Sequence, residues 1–128
     1  MINKYSLKIP YPKKFGIISF NTKKKVHFAF DNLSLFLFRE ENKIDTPEDF
    51  KNWKKEHSDF DLFVYAAYFA AKSYAVQNRK VLNLQLNKFA LGLAQANPDE
   101  LTKLTEVWKR SQEYGIDSLG GKKKVTKN

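Results

Sequence analysis

Two histidines, four pairs of near-neighbour acids and two tryptophans are the raw material from which a reaction centre in this chain would be built. His27 and His57 lie far apart, and neither sits in the HxxxH or HExxH spacing that puts two metal ligands on one helix face. His27 falls at an outward position of an alternating segment. His57 falls at a predicted helix end, where a cation suits the macrodipole. General acid–base work needs two carboxylates facing one substrate. The pairs Glu40/Glu41, Glu48/Asp49, Asp59/Asp61 and Asp99/Glu100 fall instead at helix starts or on polar faces, where capping accounts for them. The chain has no cysteine, which removes disulfide scaffolds, zinc fingers, iron–sulfur sites and thiol nucleophiles together. No GxxxxGK[ST] or GxGxxG loop is present. Gly120-Gly121-Lys122 is flanked by neither a strand nor a helix pattern, so it does not form a phosphate cradle. The expectation is a non-enzymatic protein without metal or cofactor, in which Trp53 and Trp108 serve as core or interface anchors.

The elements that position these residues belong to a chain of 128 residues, 42% apolar and 15% aromatic. That is too aromatic for a disordered segment and long enough for one core. The formal net charge is +9, and its distribution matters more than its size. Residues 1–25 carry seven Lys and no acid, and residues 116–128 carry four Lys and one Asp. Residues 26–115 between them sum to −1. Arginine, the residue best suited to bidentate reading of phosphates and guanines, occurs only at positions 39, 79 and 110. Met1 to Lys8 lacks the apolar run of a secretory signal. Leu62 to Ala71 is about half the length of a bilayer span. These features read as a cytoplasmic protein with no membrane contact.

Tyr5, Leu7 and Ile9 alternate with polar residues as a short strand, ended by Pro10 and Pro12. Phe15 to Phe20 (FGIISF) is a second strand candidate, Asn21 to Lys25 reads as a polar turn, and Val26, Phe28 and Phe30 alternate as a third strand. Residues 5–30 thus predict a small antiparallel sheet or hairpin with an aromatic face that needs a helical layer. Asp31 caps a helix from about Leu33 to Asn42. Thr46-Pro47-Glu48-Asp49 combines cap, N1 proline and first-turn acids, opening a short helix that ends near His57. Ser58 with Asp61 resembles a capping box before a long helix, apolar almost all round, that runs to about Arg79 and Lys80. Its Ala66, Ala67, Ala70 and Ala71 form a seam for close approach. Further helices are predicted at 83–96 and from Pro98 to Gly115. The fold class is α+β: an N-terminal β region (5–30), a bundle of four to five helices (31–115) forming a single domain with it, and a flexible basic tail (116–128).

The order of these elements resembles a known family. "VHFAFDNLSLFLFREENKID", the aromatic–alanine helix "FDLFVYAAYFAAKSYA" and "LNLQLNKFALGLAQANPDELTKLTEVWKRSQ" are together similar to the tail assembly chaperones of long-tailed bacteriophages. The likeness covers about residues 15–114 and rests on pattern and element order. It implies a mainly helical protein that coats the tape measure protein, keeps it soluble and recruits tail-tube subunits. It also implies a longer form made by ribosomal frameshifting near the end of the reading frame. Gly120-Gly121-Lys122-Lys123-Lys124 sits at the place for such a slip, and its codons can spell GGA-AAA-AAA.

A chaperone of long clients needs more exposed apolar surface than a monomer normally shows. Phe36, Phe38, Trp53 and Trp108 are the predicted protein-binding anchors, and they would equally serve homo-oligomerisation. Two other readings stay open. One is a small basic nucleic-acid-binding accessory protein using Lys13, Lys14, Lys23, Lys24, Lys25, Lys122, Lys123 and Lys124 on phosphates. The other is a structural virion or adaptor subunit.

Overall fold

Strand alternation, three capping boxes and two prolines set the element order in the computed structural model, which describes residues 3–11 and 23–113. Strands β1 (Asn3–Pro10) and β2 (Lys23–Phe30) are followed by helices α1 (Asn32–Asn42), α2 (Pro47–Lys55), α3 (Asp59–Gln77), α4 (Leu86–Ala94) and α5 (Pro98–Glu113). The fold is α+β, a two-stranded antiparallel N-terminal sheet and then five helices among the described residues. FGIISF (15–20), read as a further strand, lies outside them, as do the predicted stop at Gly115 and the tail.

The register places Leu7 opposite Val26 and Tyr5 opposite Phe28. Leu7, Ile9, Val26, Phe28 and Phe30 therefore share one face, and all are buried. A lone two-stranded hairpin is marginal in water, and helices α3, α4 and α5 supply the missing layer. Phe63, Val64, Ala67, Ala70 and Ala71 of α3, Phe89 and Leu93 of α4, and Leu104 and Val107 of α5 close over this face. The predicted turn 21–25 is corrected at Lys23 to Lys25. They continue β2, because Pro10, Ile9 and Lys8 offer them a ladder of partners. His27 is also not simply outward: it is half-buried and stacks on Tyr74 of α3 at 4.9 Å.

Each of the first three helices begins as its sequence dictates. Asp31 accepts from the Ser34 amide at 2.9 Å while the Ser34 hydroxyl oxygen accepts from the Asp31 amide at 3.0 Å, a reciprocal box. Thr46 with Asp49, and Ser58 with Asp61, repeat it. α1 ends in a Schellman arrangement. Lys43 adopts the left-handed region at φ 57°, and the Ile44 amide donates back to the Arg39 carbonyl at 2.9 Å. Ile44 is thereby turned inward and is buried with Phe38 and Phe69 in a second core.

Several predicted helix boundaries shift, α2 ending at Lys55 rather than near His57. α3 stops at Gln77, with Arg79 left-handed at φ 54° and the Lys80 amide bonded to the Ala75 carbonyl at 2.8 Å. α4 spans Leu86–Ala94 rather than 83–96, because residues 80–85 form no regular element and tie back to the core at Leu84. Leu84 is buried there, and its carbonyl accepts from the Tyr68 hydroxyl at 3.2 Å. Gly92 of α4 sits against the Pro10 carbonyl of β1, so close that a Cβ would overlap that oxygen. Glycine is therefore what lets α4 meet the strand end.

Candidate interaction surfaces

The aromatic anchors divide between core and surface. Phe38 is corrected from anchor to core residue, 4% exposed and edge-on to Phe50, Trp53, Tyr65 and Phe69. Helical phase explains the difference from Phe36. Ser34 and Phe38 are four residues apart and share the face of α1 that meets α3, so Phe36 points away from it. Phe36 is 53% exposed.

Trp53 is half-buried between α1 and α3. Its indole N–H donates to the Asn42 side-chain oxygen at 3.2 Å, and its ring stacks on His57 with centroids 3.9 Å apart and planes 9° from parallel. Tyr65 meets both rings edge-on at 5.4 and 5.8 Å. The carbonyl of Trp53 can only accept, so the 2.8 Å contact from His57 Nδ1 places the proton on that nitrogen. His57 is thus clamped between rings at the end of α2.

A separate aromatic run leads outward from the first core. Trp108 of α5 lies 5.8 Å from Phe63, and Phe63 lies 6.5 Å from Phe60, which is 43% exposed at the start of α3. Trp108 itself is half-buried. Phe36 lies on the side of α1 turned from α3, and Phe60 lies at the start of α3 beside Phe63.

The third surface is cationic. On the face of the sheet turned from the core, Lys4, Ser6 and Lys8 of β1 and Lys23 and Lys25 of β2 are all exposed. Lys8 lies directly opposite Lys25. A groove of about 670 Å³ runs beside them, lined by Lys8, Lys23 and Lys25 and, across from these, Gln95, Asn97 and Glu100. Lys24 points to the other face, where its ammonium sits 5.0 Å from the Tyr11 ring. Lys88 of α4 approaches the same ring at 6.0 Å. The Tyr11 oxygen accepts from the Gln85 amide at 2.9 Å, fixing the ring between the strand end and α4. Of the predicted nucleic-acid residues, Lys23, Lys24 and Lys25 are therefore placed on β2, while Lys13, Lys14, Lys122, Lys123 and Lys124 lie outside the described residues. Sequence reading missed Lys4 and Lys8, although alternation through Lys4-Tyr5-Ser6-Leu7-Lys8 would have put them on one face.

Two ionisable groups depart from their ordinary behaviour. Backbone hydrogen bonding, first from the Asp45 amide and also from Thr46, holds the Asp49 carboxyl below the usual aspartate value. Burial pushes the Tyr68 phenol above its usual value. Both serve architecture, one a helix cap and one the tie to Leu84. Among the described residues no cluster of His, Cys, Asp or Glu could hold a metal ion. No helix among them is long and apolar enough to cross a membrane. Comparison with protein-family models, with curated proteins and with solved structures finds no match.

Proposed function

We propose that this chain is a non-enzymatic assembly chaperone of the phage-tail type, working in the host cytoplasm. It would bind the tape measure protein, keep that long helical client soluble and pass it to tail-tube subunits. The observation that carries the reading is the presentation of large aromatic side chains by helices whose other faces are already packed. Phe36 is 53% and Phe60 is 43% exposed, and Trp53 and Trp108 are half-buried beside other rings. Such residues offer rigid apolar area to a partner. The resemblance in element order supplies the identity of that partner. Homo-oligomerisation through the same aromatics is the form a virion or adaptor subunit would take.

The test begins with the gene's surroundings. A very long, helix-rich reading frame directly downstream, with an overlapping −1 frame after the codons of Lys122–Lys124, is expected. Co-expressing that downstream product with this chain is expected to keep it soluble, whereas Phe36→Ser and Phe60→Ser variants with unchanged melting temperature leave it aggregated. Equal solubility with the double variant rejects the aromatic surface. Absence of any long helical frame rejects the chaperone reading itself, and a closed ring of this chain alone by light scattering favours the structural subunit.

A further inference from the structure

We infer that the outward face of the β1–β2 ribbon binds the phosphate backbone of duplex DNA without reading its sequence. The described ribbon, residues 3–11 and 23–30, carries five lysines and no acid. Four of them, Lys4, Lys8, Lys23 and Lys25, stand exposed on one face. Lys8 and Lys25 are direct cross-strand partners, which puts their Cβ atoms about 5 Å apart, and like charges in that position oppose folding. Lysine on a free edge also discourages edge-to-edge pairing, but that purpose does not need two lysines facing each other. A polyanion laid along the face turns this repulsion into attraction.

The chemistry of the face narrows the occupant. Lys4 and Lys8 are four residues apart, about 13 Å along the strand, and Lys23 and Lys25 are about 7 Å apart. These spacings suit successive phosphates rather than one small anion. The groove beside them adds amides, Gln95 and Asn97, with one acid, Glu100, against three lysines. Among the described residues the exposed part of the face, Lys4, Ser6 and Lys8 against Lys23 and Lys25, carries no aromatic side chain on which to stack an unpaired base; on the same side His27 is already stacked on Tyr74 and Ala29 is buried. Single-strand binders depend on such platforms. Among the described residues the face also lacks arginine, the residue suited to bidentate reading of guanine. A two-stranded ribbon fits the major groove of B-form DNA, about 12 Å wide, but not the deep, narrow one of A-form RNA.

Fluorescence anisotropy of the full chain with a labelled 20-bp DNA duplex, between 50 and 200 mM salt, tests this. Binding that weakens steeply with salt is expected. K8Q/K25Q removes two phosphate contacts, so the slope of log K against log salt should become shallower by about 1.8, with about tenfold or greater loss of affinity at 50 mM. K8Q/K25Q should melt no lower than the parent, because it relieves a repulsion. K23E, a single exposed change, repeats the loss should the double variant fold poorly. K54Q/K55Q, the same charge change at the end of α2, should leave the slope as it was. The inference is overturned if the parent shows no binding at 50 mM. It is also overturned if K54Q/K55Q weakens binding as much as K8Q/K25Q, or if K8Q/K25Q and K23E both bind as the parent does. Binding of single-stranded DNA or duplex RNA as tight as that of duplex DNA overturns it as well. None of these outcomes depends on the aromatic surfaces, so the chaperone reading stands or falls separately.

Discussion

Helix α3 faces two cores and treats them differently. Toward β2 it presents Ala67, Ala70 and Ala71, all at most 1% exposed, beside Phe63 and Val64, and further rings come from Phe28 and Phe30 on the strand and Phe89 on α4. Toward α1 and α2 it presents Tyr65, Phe69 and Leu62, and meets further rings from Phe38, Phe50 and Trp53. Small residues let two backbones close in, so the first core is sealed. The second core is built ring against ring, and Phe50, Trp53, Leu62 and Tyr65 at its margin stay half-exposed. A sealed core fixes the fold, whereas an open aromatic core can still be reached by a partner.

Large truncations sharpen the contrast most. Phe28→Ala empties a fully buried position and should cost about 4 kcal/mol. Trp53→Ala, in the open core, should cost about half as much, because part of its ring already meets water and it forfeits mainly stacking and the bond to Asn42. Guanidinium unfolding of both variants measures the ratio, and equal losses would mean that the two cores are not different in kind.

Asp31, between β2 and α1, ties both to α3. Its carboxylate caps α1 and also accepts from Ser73 at 2.8 Å and, without solvent-free enclosure, from Gln77 at 2.6 Å. Ser73 is fully buried. Asp31→Ala removes a cap and one partner of a buried hydroxyl, together about 2–3 kcal/mol. Asp31→Asn retains a capping oxygen and should lose less, which urea denaturation would show. Gly92→Ala comes next. The new methyl meets the Pro10 backbone carbonyl, which cannot rotate away as a side chain would, so α4 and β1 must separate. Overpacking of this kind costs about 1–3 kcal/mol, visible as a lower melting temperature. In a Trp108→Phe background it should leave Trp53 fluorescence near that of the parent, because the strain falls on the first core.

Much of this division was legible in the chain, and the exceptions share a cause. Asp31 with Ser34, Thr46 before Pro47, and Ser58 with Asp61 announced three helix starts, because a cap is satisfied by residues three positions away. The start of α4 was misplaced because Leu84 and Gln85 are held by Tyr68 and Tyr11, partners remote in sequence. Lys23 to Lys25 looked like a turn because their composition is polar, and only pairing with β1 makes them strand. Phe36 and Phe38 looked equivalent as aromatic residues of one helix, and only the position of α3 separates them. The lysine face escaped notice for the same reason, since Lys8 and Lys25 become neighbours only through the register.

The smallest effect concerns Tyr68, whose ring touches both cores. Its hydroxyl donates to the Leu84 carbonyl, and burial raises its pKa above that of a free phenol. A raised acid pKa in the folded state means that the neutral phenol is favoured by folding. The resulting stability is complete below the unfolded value of about 10 and is lost as pH rises through the higher folded value. The parent alone would not isolate the tyrosine. Tyr68→Phe removes both the titrating group and the bond to Leu84. It should therefore be slightly less stable than the parent at pH 7, with the gap narrowing above pH 10. A gap that stays constant between pH 7 and 11 would mean that the phenol is ionised as readily in the fold as outside it. The tie across the two cores would then rest on the ring alone.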